Sequence, residues 1–195
     1  MRKQKNKTMI KSSTLTLFAC FMLFLMSCEK DDPVIPNEQE VITTLTYTLT
    51  PAGGGTPVVL TFQDLDGDGG DAPTITDDAI LQANSTYNGS VGLLNETEDP
   101  AEDIGLEVLE ESLEHQFFFQ SSIQGLTIAY ADVDELGMNP LGLLSTLTTG
   151  GVGSGSITIT LKHEPSKDAP GVSDGDISEA GGETDIEVTF PIDVQ

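Results

Sequence analysis

The chain has no tryptophan, one arginine (Arg2), two cysteines, and no lysine or arginine anywhere between Lys30 and Lys162. Without tryptophan, a sugar-stacking platform would have to be built from Tyr47, Tyr87 and Tyr130. Between Lys30 and Lys162 nothing can neutralise phosphates, which argues against nucleic acid as a partner of that region. Cys20 and Cys28 both lie near the N-terminus, so the rest of the chain has neither a disulfide nor a thiol nucleophile. Long apolar runs are missing too. The longest, Leu15 to Met26, would make a helix of about 18 Å against a bilayer core of roughly 30 Å, too short to span. The glycines of Gly150-Gly151-Val152-Gly153-Ser154-Gly155 are followed by no Gly-Lys-Ser/Thr and open no helix, so they are not a phosphate loop.

The N-terminus begins with Arg2, Lys3, Lys5, Lys7 and Lys11, continues with the short apolar run, and ends in small residues, with no acid before Glu29. That order is a secretory signal. Its last residues, Leu25-Met26-Ser27-Cys28, resemble the lipobox of bacterial lipoproteins. The resemblance implies cleavage before Cys28, a diacylglyceryl group on its thiol and acylation of its new amine. Each buried methylene contributes about 0.8 kcal/mol, so two or three acyl chains anchor firmly where one would not. Lys30-Asp31-Asp32 resembles the export signal of surface-exposed lipoproteins in Bacteroidetes bacteria; a solvated tether is the other reading. The expected organisation is a signal over residues 1–27, an acylated Cys28 with an acidic tether to residue 39, and a domain over residues 40–195. The expected location is the outer membrane, with the cell surface favoured over the periplasmic face.

From Cys28 onward the chain keeps three lysines against 32 acids, a formal charge of −29. Such a field repels anionic surfaces and attracts divalent cations or basic partners, and it promotes solubility. Beyond the tether, Thr-rich, β-branched segments alternate with Gly, Asn and Asp. Leu45, Tyr47 and Leu49 alternate with threonines as in a half-buried strand. Further strands are expected at residues 57–62, 86–94, 115–121, 126–131, 143–149, 156–162 and 185–194, with Gly150 to Gly155 as a hairpin connection. Residues 100–114 predict one short helix beginning near Pro100, although Ile104, Leu106 and Val108 also alternate as in a strand. The fold class is therefore all-β: an immunoglobulin- or fibronectin III-like sandwich of about eight strands. Leu81 to Tyr87, followed by Val91, resembles the corner of fibronectin type III sandwiches, where the Tyr hydroxyl ties back to the preceding loop.

Over most of its length the domain resembles a group of small Bacteroidetes lipoproteins of unknown function. The likeness rests on His115-Gln116-Phe117-Phe118-Phe119, on Leu141-Gly142-Leu143 with Ser145 to Gly150, and on Leu161 to Pro165 through Gly181 to Ile186. Some members carry the label of a type 1 periplasmic binding fold, which implies alternating strands and helices in two lobes. This sequence shows no such alternation. The resemblance brings no active residues.

Candidate chemistry is sparse. Asp64, Asp66, Asp68 and Asp71, spaced by glycines, resemble the first half of an EF-hand loop and could turn several oxygens onto one Ca²⁺. The bidentate Glu is missing, because Ile75 stands at the twelfth position, and a turn between strands is the competing reading. Asp174-Gly175-Asp176 with Ser178 and Glu179 is a poorer echo. His115 beside Glu114 and His163 beside Glu164, if brought together on paired strands, could hold a transition metal. Glu107, Glu110, Glu111 and Glu114 read as a solvated helix face, and no serine is taken as a nucleophile. No cofactor is required, with Ca²⁺ as the candidate ligand. The expectation is a non-catalytic, membrane-anchored domain that binds an unknown protein or small ligand or serves a structural role. The alternatives are a carbohydrate-binding lipoprotein of a glycan-uptake system and a hydrolase.

Overall fold

The computed structural model describes residues 40–67, 70–77 and 79–195. The expected signal, Cys28, the expected tether and Asp68 lie outside the described residues. The elements are β1 (Thr44–Pro51), β2 (Val58–Gln63), β3 (Thr74–Ile75), β4 (Ala79–Leu81), β5 (Thr86–Leu94), α1 (Ile104–Glu110), β6 (His115–Ser121), β7 (Thr127–Tyr130), β8 (Leu144–Thr148), β9 (Gly153–His163) and β10 (Glu183–Val194). Six strands form one sheet in the order β3-β2-β1-β5-β8-β7, and four form a second in the order β4-β10-β9-β6. Among the described residues the fold is an all-β sandwich of ten strands. The two beyond the expected eight, β3 and β4, are edge strands of two and three residues.

The core is the sum of the inward rows. Leu45, Tyr47 and Leu49 of β1 meet Ile157, Ile159 and Leu161 of β9 and Val188, Phe190, Ile192 and Val194 of β10 in one buried cluster. Alternation places the intervening threonines of β1 and β9 on the other faces. Tyr47 reaches across its own sheet to place its hydroxyl 2.8 Å from Ser145 Oγ, and burial pushes the phenol up to about 12. The corner resemblance holds in detail: Gln82 N–H donates to the Tyr87 hydroxyl at 2.8 Å, and Leu81 and Tyr87 are both buried.

Phe117 and Phe119 pack toward the core, while Phe118 is buried on the opposite face of β6 with Val172 and Ala180. The strand is thus covered on both faces, the outer cover being the segment between β9 and β10. The helix starts later than expected. Asp103, not Pro100, marks its beginning, accepting the Leu106 N–H at 3.3 Å. Its Ile104 and Val108 are buried and Leu109 is exposed. The Gly150–Gly155 stretch is no hairpin. It carries the chain from β8 in one sheet to β9 in the other, and Gly153 to Gly155 already pair with Val194 to Ile192. A Cβ at Gly155 would fall 2.6 Å from Ser122 Oγ, so glycine here serves close strand packing that its flexibility disguises in the sequence.

Candidate functional site

His115 and His163 stand directly opposite each other in the register of β6 and β9. They extend the core-facing row beyond Phe117 and Leu161, so both rings point to the inner side of the sheet. The rings stack with centroids 4.7 Å apart and an interplanar angle of 15°. The sequence suggested that paired strands could bring the two together, and they do.

Carboxylates surround the pair. Glu40 Oε1 lies 3.7 Å and Asp185 Oδ2 lies 3.8 Å from His115 Nε2. On the other side of the ring, His115 Nδ1 is 3.3 Å from the Glu111 carbonyl and 4.0 Å from Glu111 Oε2. Glu114 Oε2 approaches His163 Nε2 at 3.6 Å. Three structural devices build this arrangement. Glu40 is delivered by the segment leading into β1. Glu111 and Glu114 come from the turn that ends α1, where the expected continuous acidic helix face breaks. Asp185 is delivered by a β-bulge: β10 shifts register between Thr184 and Ile186, leaving Asp185 as the extra residue. Strict alternation with Val188 and Phe190 would send it to solvent, and the bulge re-aims it. Its side chain is 3% exposed.

Burial dominates the electrostatics. It pushes the Glu40 carboxyl up to about 7, helped by repulsion from Glu107, Asp185 and Glu111. It also raises Asp185, against the attraction of the two histidines, and lowers His115, against the hydrogen bond to the Glu111 carbonyl. Glu40 Oε2 and Asp185 Oδ2 are buried and receive no hydrogen bond from the protein. Of this cluster, the sequence marked the histidines and Glu114. It missed Glu40, the first residue of the expected domain, read Glu111 as solvated, and gave Asp185 no role. The usable signal for Asp185 was an acid at the third position after Gly181-Gly182, where an alternating strand begins.

The Asp/Gly loop looks different. Asp64 Oδ1 accepts the Gly67 N–H and Asp66 Oδ2 accepts the Asp71 N–H, each at 2.9 Å, in an exposed turn. With Thr43, Phe62 and Thr97 it walls a cleft of about 350 Å³. Asp176 accepts the N–H and hydroxyl of Ser178, which holds it below the usual carboxylate range as the cap of a short 3-10 turn.

No Gly-x-Ser-x-Gly elbow was expected, yet Gly171-Val172-Ser173-Asp174-Gly175 has that spacing. Here it forms a 3-10 turn instead of a strand-to-helix elbow. Gln116 donates to the Val172 carbonyl at 2.9 Å from the outer face of β6. His115, one residue earlier, points to the opposite face, so it is not placed to serve Ser173 as a base. Compared with protein-family models, curated proteins and solved structures, the chain matches none.

Proposed function

We propose that the protein is an exported lipoprotein, held in the outer membrane by acyl chains on Cys28, whose sandwich binds a partner or ligand or acts structurally without catalysis. The surface leaflet is favoured by Lys30-Asp31-Asp32. The observation that carries the anchoring is Leu25-Met26-Ser27-Cys28. Among the described residues no helix is long and apolar enough to cross a membrane. The non-catalytic reading is supported by the histidines: His115 is 1% exposed, closed to a polymeric substrate. A glycan platform is disfavoured because Tyr47 and Tyr87 are core residues. Cys28→Ser should abolish incorporation of a fatty-acid analogue and shift the protein out of the membrane fraction. Labelling that persists in Cys28→Ser would refute the anchor.

Ca²⁺ at Asp64, Asp66, Asp68 and Asp71 belongs to the same proposal, supported by the cleft that Asp64 and Asp66 help to wall. A ligand bound only by the folded state stabilises by about 2.7 kcal/mol at roughly a hundredfold excess over Kd. Millimolar Ca²⁺ should therefore raise the melting temperature, and Asp66→Asn with Asp68→Asn should remove the rise. An equal rise with Na⁺ at matched ionic strength would reduce the loop to a turn.

A further inference from the structure

We infer that His115, Glu40 and Glu111, with Asp185 as a fourth donor, form a binding site for a divalent transition metal of the Zn²⁺ class. Glu40, Glu111 and His115 each bring one ligand atom within 4.8 Å of the others. The Glu111 carbonyl beside Nδ1 is an acceptor, so in the neutral ring Nδ1 carries the hydrogen. Nε2 then presents a lone pair toward Glu40 Oε1 and Asp185 Oδ2, at 3.7 and 3.8 Å. Acceptors facing one another without donors require a cation or a proton between them.

The separations suit an ion better than a hydrogen bond. Tetrahedral coordination at about 2.0–2.1 Å sets ligand atoms about 3.4 Å apart, a few tenths of an ångström less than the two separations from Nε2. Asp185 Oδ2 is an independent pointer, since its side chain is 3% exposed and no protein donor reaches it. Glu111 Oε2 stands 4.0 Å from Nδ1, and its side chain, 49% exposed, must swing round to the Nε2 side to join the set. One imidazole with carboxylates suits Zn²⁺ and its neighbours. His163 is not in this set: stacked rings keep their lone pairs in parallel planes, so the two cannot converge on one ion. The bound ion would tie Glu40, where the tether joins the domain, to the far sheet through β6 and β10.

Thermal melts of the full-length protein in Zn²⁺ or chelator test this. At about a hundredfold excess over Kd, the wild type should melt roughly 5–10 °C higher with Zn²⁺. Glu40→Gln and His115→Asn should each weaken Zn²⁺ binding by at least the ~10–100-fold that loss of an outer partner costs. Glu114→Gln, on the His163 side, should retain it. Asp185→Asn should raise the metal-free melting temperature while weakening the Zn²⁺ response. Co²⁺ should give the intense visible band of a tetrahedral site in the wild type and lose it in Glu40→Gln. If His115→Asn does not fold, Glu40→Gln decides. No Zn²⁺ shift in the wild type, or an undiminished shift in Glu40→Gln, would overturn the site.

Discussion

Replacing Lys167 by Met is expected to cost about 3–5 kcal/mol, the usual loss when one partner of a buried ion pair is removed. In a domain of this size that is a fall of about 6–20 °C in melting temperature. Lys167 is buried, and its ammonium donates to the Ser112 carbonyl, lies 3.5 Å from the Pro140 carbonyl and faces Asp134 Oδ2 at 4.0 Å. Burial lowers its pKa, with Asp134 and Asp132 opposing. The side chain thus joins three connections: the turn after α1, the loop before β8 and the segment between β9 and β10. Methionine keeps the volume but leaves the carboxylate of Asp134, itself buried, with only the Met138 and Asn139 N–H groups. Adding Asp134→Asn to Lys167→Met should recover part of the loss. Additive losses in denaturant titrations would show that the two residues do not interact.

Gly182→Ala should be as damaging, for a backbone reason. Gly182 sits at φ +64°, where L side chains are strained, and a Cβ there would lie 2.2 Å from the His163 carbonyl oxygen. Backbone cannot give way as a flexible side chain can, so overpacking adds its usual 1–3 kcal/mol to about 1–2 kcal/mol of left-handed strain. The total is about 2–5 kcal/mol. Gly181 provides the control. It has nearly the same φ, +61°, but the nearest atom to its Cβ would be Ser166 Oγ at 4.0 Å. Gly181→Ala should therefore cost only about 1–2 kcal/mol. Equal losses at the two positions would mean that the contact with His163 is not what fixes the turn into β10.

These two residues also show where the sequence is legible. Long alternating strands announce themselves: β5 and β6 fall on the expected residues, and Leu45, Tyr47 and Leu49 form the inward row of β1. β4 does not, because three residues carry no period and exist as a strand only through parallel pairing with the end of β10. Nor does the start of β9, where Gly155, required by Ser122 and Ile123, belongs to a Gly-rich run that mimics a loop. Lys167 looks like a surface lysine until two loops close over it.

The site follows the same rule. The histidine pair was legible because both residues sit on strands whose inward rows are clear. The carboxylates were not, because a bulge delivers Asp185 and a chain segment outside any strand delivers Glu40. Local departures from periodicity built the cluster, and periodicity is all that a sequence pattern reports.

The central claim is that this sandwich is presented from a membrane by lipid on Cys28. The most direct test is the intact mass of the protein extracted from the outer membrane of its producing cell. The account predicts a chain that begins at Cys28 and carries the mass of a diacylglyceryl group, with or without a further acyl chain. A mass that includes residues 1–27, or a mature chain whose Cys28 is absent or unmodified, would contradict it.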